Sequence, residues 1–86
     1  MKQFSYTITD PMGIHARPAG MLVKAAAGFA DSSIKISNGT KEVDAKRLMA
    51  VMSLGVKQGH TVTFTIEGGD EGSVAESLES FMKENL

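Results

Sequence analysis

With 86 residues, the chain is expected to form one small domain, residues 1–86, with a modest core. Its 9 Lys and Arg against 10 Asp and Glu give a formal net charge of -1, which removes any bulk electrostatic case for nucleic acid or a membrane surface. The absence of cysteine excludes disulfides, a thiol nucleophile and thiolate metal sites. A hydrophobic share of 42% is ordinary for a folded soluble chain. The N-terminal Met-Lys-Gln-Phe-Ser-Tyr lacks the apolar core of a signal peptide, and no apolar run is long enough to span a bilayer. The expectation is a soluble protein of the cytoplasm.

The pattern switches repeatedly between period two and period 3.6. Phe4, Tyr6 and Ile8 alternate with Ser5, Thr7 and Thr9 as a strand buried on one face, and Asp10-Pro11-Met12-Gly13 is a turn. A helix is predicted from Ala16 to Ala27, with Ala19, Leu22, Val23 and Ala26 on its core face and Gly28 near its end. Ile34 and Ile36 mark a second strand. Asn38-Gly39 signals a hairpin, and Lys41 to Val43 is the return strand. A short helix from Ala45 to Leu54 follows, with Asp44 as its cap and Gly55 as its stop. Val62, Phe64 and Ile66 alternate with threonines in a further strand, which Gly68-Gly69 breaks. Asp70 then caps a last helix carrying Val74, Ala75, Leu78, Phe81 and Met82 on one side. The order is β-α-β-β-α-β-α. Strands with one apolar face each imply an α+β fold, an antiparallel sheet covered by helices on one side and wet on the other.

The residues best suited to chemistry are Gly13-Ile14-His15-Ala16-Arg17-Pro18-Ala19. An imidazole is a nucleophile whose charge state sits near neutrality. His15 stands just before a helix start, where the N–H groups from Ala16 onward and the positive dipole end favour a phosphate. Arg17 adds a permanent cation. Together they suggest a phosphorylatable histidine; the plainer alternative is a turn histidine that merely caps or packs. His60, after Gly59, has no such neighbourhood and is expected at the surface. Neither histidine belongs to a ligand-pair spacing, so no metal is expected, and no glycine-rich nucleotide loop is present. Arg17, Met21 and Lys24 fall opposite the core stripe of the first helix. On the second helix, Leu48, Met49 and Met52 share one arc while Val51 and Leu54 lie elsewhere. Either a small core engulfs that helix or one arc is a docking surface, a role that flexible methionine suits.

At Gly-Ile-His15-Ala-Arg17-Pro18-Ala the sequence resembles the HPr family, the histidine-containing phosphocarriers of the sugar phosphotransferase system. The likeness runs on through Leu22-Val23, Asn38-Gly39 and the stretch from Leu48 to Gly55, in a form similar to the Gram-positive branch. The resemblance implies an open-faced β-sandwich, with a four-stranded antiparallel sheet and three helices on one face. It implies that Nδ1 of His15 accepts a phosphoryl group from phosphorylated enzyme I and passes it to the IIA domains of sugar permeases. In that scheme Arg17 is the phosphate-side cation, and Leu48, Met49 and Met52, with Met21 and Lys24 beside them, form the docking patch. The implied protein is a monomeric phosphoryl relay without a cofactor, rather than a conventional turnover enzyme.

One departure concerns control. Gram-positive members carry a regulatory serine at the start of the second helix, and Arg47 stands at the aligned position here, after an Asn38–Val43 stretch that is one residue longer than usual. Arginine cannot take that phosphate, so a catabolite-regulatory role is weakened. Met12 and Gly20 are also unusual beside the signature. Two alternatives stay open on sequence: a regulatory binding module using the same patch, and a carrier in a nitrogen-linked or dihydroxyacetone-linked phosphotransferase chain.

Overall fold

The computed structural model describes residues 1–86. Seven elements follow one another: β1 (Lys2–Thr7), α1 (Ala16–Ala27), β2 (Ser33–Ser37), β3 (Glu42–Asp44), α2 (Leu48–Met52), β4 (Thr61–Glu67) and α3 (Glu71–Asn85). The strands form one sheet in the order β1-β4-β2-β3, and all neighbours are antiparallel. The predicted α+β class and element order are those observed.

Period-two alternation decides which side of the sheet is covered. Val62, Phe64 and Ile66 of β4 are buried together with Ile34 and Ile36 of β2. Phe4 of β1 lies opposite Phe64 and stacks on it, with ring centroids 4.9 Å apart. The intervening residues of β1 and β4 face outward, where Gln3–Thr65, Ser5–Thr63 and Thr7–Thr61 are joined by side-chain hydrogen bonds of 2.9–3.0 Å. That ladder leaves the outer face hydroxyl-rich and wet. Over the inner face, α1 buries Ala19, Leu22 and Ala26, and α3 buries Val74, Ala75, Leu78 and Met82, closing one hydrophobic cluster with the strands.

Both long helices match their predicted starts. His15 is the N-cap of α1, and Asp70 caps α3 by accepting from the Ser73 N–H at 3.2 Å. The glycine at α1 position 20 has open space around it, and nothing in the packing requires it.

The second helix is shorter than its apolar pattern suggests. It spans Leu48–Met52 rather than Ala45–Leu54, and its N-cap is Arg47 rather than Asp44. Asp44 belongs to β3, which covers Glu42–Asp44 instead of Lys41–Val43. The Asp44 carboxylate accepts from the Lys46 N–H at 2.9 Å, closing a turn instead of capping a helix. Ala45 is wholly buried and still donates to the Ile34 carbonyl, so the sheet holds residues the helix was expected to take. The β2–β3 connection also exceeds a two-residue turn. Asn38 Oδ1 accepts from the Thr40 and Lys41 amides, while Gly39 supplies a φ of 101°.

The start of α3 is tied to the start of β1. Glu71 accepts from the Met1 amine at 2.9 Å and from the Gly68 N–H at 2.7 Å. These donors hold its carboxyl below the ordinary value of 4.5, the amine's hydrogen bond being the largest cause, while Glu71 raises the amine above 8.0. A carboxyl lowered in the folded state stabilises above its unfolded value, and the benefit is lost as pH falls through the lowered one. Glu71→Gln is therefore expected to lower the melting temperature at neutral pH. The gap to wild type should close in acid and narrow once the amine deprotonates in alkali, as followed by circular dichroism.

Candidate functional site

The site is made where β1 hands the chain to α1. After β1, Ile8 exchanges backbone hydrogen bonds with Gly59 and His60, each at 2.9 Å. The Thr9 and Asp10 amides then both donate to one oxygen of Leu86, at 2.6 and 2.8 Å, which pins the loop to the end of α3. The predicted turn is present: the Gly13 N–H donates to the Asp10 carbonyl at 2.9 Å, and the Met12 N–H donates to Asp10 Oδ1 at 2.8 Å. Gly13 has a φ of 67°, and a β-carbon there would collide with the Val56 carbonyl oxygen and lie 2.7 Å from Lys57 Cα. This close approach lets the Ile14 N–H donate to Val56 at 3.1 Å and seats Ile14 in the core. His15 follows with extended backbone, φ -108° and ψ -179°.

The start of α1 offers unfilled donors. The His15 carbonyl accepts from the Ala19 N–H at 2.9 Å, and Pro18 has no N–H to satisfy. No side chain caps the helix and its first turn holds no acidic residue, so the amides of Ala16 and Arg17 have no acceptor in the chain. His15 is half-buried, with a third of its side chain exposed, and its Nε2 lies 3.7 Å from Asp10 Oδ2. Arg17 is exposed and paired with no carboxylate. Asp10, His15, Arg17, Pro18, Met21 and Asn85 line one shallow depression of about 230 Å³. Two free amides, the positive end of a helix and a guanidinium suit a small anion, and the imidazole offers a nucleophilic nitrogen.

The remaining predicted residues divide cleanly by exposure. Met21 and Lys24 lie on the exposed side of α1. Val51 of α2 and Leu54 just beyond it are buried, whereas Leu48, Met49 and Met52 of α2 are exposed, with Met49 at 78%. A core that engulfs α2 is thus not what its apolar residues serve: α2 packs on α1 and turns that arc outward. Arg47 is exposed at the N-cap of α2. His60 is exposed in the turn before β4, where its Nδ1 accepts from the Lys57 N–H at 3.3 Å. No helix is long and apolar enough to cross a membrane.

Two residues of the depression carry little sequence signal. Asp10 reads in the sequence only as part of a turn. Its position two residues before an amide it can accept from was the available signal that its carboxylate is held in place. Asn85 arrives from the far end of α3, and nothing near it in sequence marks it.

An open-faced antiparallel sheet with a half-exposed histidine at the uncapped start of its first helix is the architecture of a histidine-bearing carrier domain. The family model described as the PTS HPr component phosphorylation site matches residues 2–84. The phosphocarrier protein HPr of Lysinibacillus sphaericus is 42% identical over 84 residues, covering 98% of this chain and 94% of its own. HPr-C-His of Thermoanaerobacter tengcongensis superposes with a TM-score of 0.91 at 38% identity, covering 98% of this chain and 93% of that one. An HPr dimer from the same organism gives 0.75 at 38% identity, with 98% and 95% covered. The chain belongs to the HPr family, the phosphocarriers of the phosphotransferase system.

The contact at Gly13 should govern how firmly the site is held. Gly13→Ala meets both a positive φ, worth about 1–2 kcal/mol, and a backbone collision. Gly59→Ala meets a φ of 88° in open space. Urea unfolding is expected to show Gly13→Ala as the more destabilised of the two; equal losses would mean the Val56 contact gives way freely.

Proposed function

We propose that the chain accepts a phosphoryl group on His15 from phosphorylated enzyme I and delivers it to IIA domains of sugar permeases. The observation that carries this reading is the pair of acceptor-less amides at Ala16 and Arg17, beside a half-exposed imidazole and an unpaired guanidinium. Transfer into the chain forms a phosphorus–nitrogen bond at Nδ1 of His15 and breaks the corresponding bond on the donor. The receiving helix start and Arg17 then hold the anionic product. Phosphoryl transfer asks chiefly for positioning and charge stabilisation, which preformed donors supply without reorganisation.

Partners would reach the histidine across the exposed apolar arc of Leu48, Met49 and Met52, with Met21 and Lys24 beside it. Side chains that repack against different shapes suit a carrier that must meet a donor and several acceptors in turn. The depression at His15 is too shallow to enclose a free small substrate, which favours protein partners that complete the site on docking. The working unit in this reading is a cytoplasmic monomer of one domain, and no cofactor is needed.

Arg47 bears on regulation. Its guanidinium stands exposed at the start of α2, where a hydroxyl would be needed for ATP-dependent control. Relay chemistry is therefore favoured over a serine-switched regulatory role.

Intact mass after incubation with phosphoenolpyruvate and enzyme I tests the reading. One acid-labile phosphate is expected on wild type and on His60→Ala, and none on His15→Ala. Incubation with ATP and an HPr kinase is expected to leave the α2 peptide unmodified. Label that survives His15→Ala would defeat the carrier reading, and phosphate on the α2 peptide would defeat the loss of the switch.

A further inference from the structure

We infer that Asp10 is a positioning residue for His15: its carboxylate holds the ring hydrogen on Nε2 and leaves the Nδ1 lone pair free to attack phosphorus. The inference rests on the reading of His15 as the phosphoryl acceptor and adds a residue to it.

The geometry is specific to one ring nitrogen. Asp10 Oδ2 lies 3.7 Å from Nε2, while Asp10 Oδ1 is occupied by the Met12 N–H at 2.8 Å. The turn thus fixes the rotation of the carboxylate, and the backbone beneath it is fixed as well. The Asp10 N–H donates to Leu86 at 2.8 Å, and its carbonyl accepts from the Gly13 N–H at 2.9 Å. A carboxylate locked on one oxygen aims the other at the imidazole. The distance exceeds a hydrogen bond, and catalytic contacts of this kind are commonly long before the partner arrives.

The chemistry gives the contact a purpose. A neutral imidazole carries its single hydrogen on one nitrogen, and the other is the nucleophile. With Nε2–H facing Asp10, the lone pair belongs to Nδ1. When Nδ1 bonds to phosphorus and the donor's phosphorus–nitrogen bond breaks, the lone pair is spent and positive charge spreads over the ring. Nε2–H then becomes a stronger donor, and the facing carboxylate stabilises it. In the outward step the ring leaves with its Nε2–H still in place, so the same contact serves both directions. Arg17 lines the same depression and offsets the carboxylate's repulsion of the incoming phosphate.

Asp10→Asn and Asp10→Ala separate charge from structure. Asparagine keeps an oxygen for the Met12 amide but removes the charge; alanine removes both. Two measurements decide. The first is long-range nitrogen–proton correlation of the His15 ring in the unphosphorylated chain. Wild type is expected to show the hydrogen predominantly on Nε2, and both variants a larger share on Nδ1. The second is the rate of loading by phosphorylated enzyme I. A partly exposed charge contact predicts that kcat falls roughly five-fold in Asp10→Asn, with KM and melting temperature near wild type. Wild-type tautomers and rates in Asp10→Asn would overturn the assignment, as would a loss confined to KM. The ring spectrum needs no phosphate: a wild type that never loads would defeat the carrier reading, while the tautomer result would still judge Asp10.

Discussion

The close approach of Gly13 to the Val56–Lys57 backbone is the constraint on which the site depends. No side chain fits between the two strands of backbone, and φ at Gly13 is one that other residues resist. Because the chain bends there, Ile14 is drawn into the core and the next residue begins α1. His15 is thereby left half-buried with its ring outside the helix and its carbonyl inside it. The amides of Ala16 and Arg17 remain without partners for the same reason: the N-cap is an imidazole that does not reach back, and Pro18 has no amide to add. A serine or aspartate at the cap would have stabilised the helix by about 1 kcal/mol and filled the anion site. The fold forgoes that stabilisation to keep the helix start open.

Apolar exposure is the second cost. Leu48, Met49 and Met52 stand out of the core on the same side of the molecule as α1, while Val51 and Leu54 of the same segment are buried. A five-residue helix is too short to be stable by itself and is held by its packing on α1 and by the turn at Asp44. Met49 is 78% exposed and Leu48 and Met52 are partly so, which leaves an apolar arc open to solvent. The polar outer face of the sheet, laddered by hydroxyl groups, contrasts with it.

Much of this was legible in the sequence because two periodicities dominate it. Alternating residues in β1, β2 and β4 and the 3.6-residue stripe of α1 and α3 each bury one face, so existence and order of the elements follow from pattern alone. The α2 boundary failed where two local preferences compete. Asp44 can cap a helix or close a turn, and pairing of β3 with β2 settles it in favour of the turn. The tight turn signalled by Asn38-Gly39 failed similarly, since Asn38 uses its side chain to organise four residues rather than two. At the site, His15 and Arg17 are adjacent in sequence and could be found together. Asp10 reaches His15 through its own local turn, whereas Asn85 joins the depression only because the end of α3 packs against the β1–α1 loop, a relation that no local pattern encodes.

The amide spectrum of the phosphorylated chain offers the most direct check on the open helix start as the phosphate cradle. On loading by enzyme I, the backbone proton resonances of Ala16 and Arg17 should move strongly downfield together, as free donors gain a charged acceptor, while those of β2 and the outer sheet stay in place. Resonances of Ala16 and Arg17 that do not respond, with the change centred on His60 or elsewhere, would contradict it.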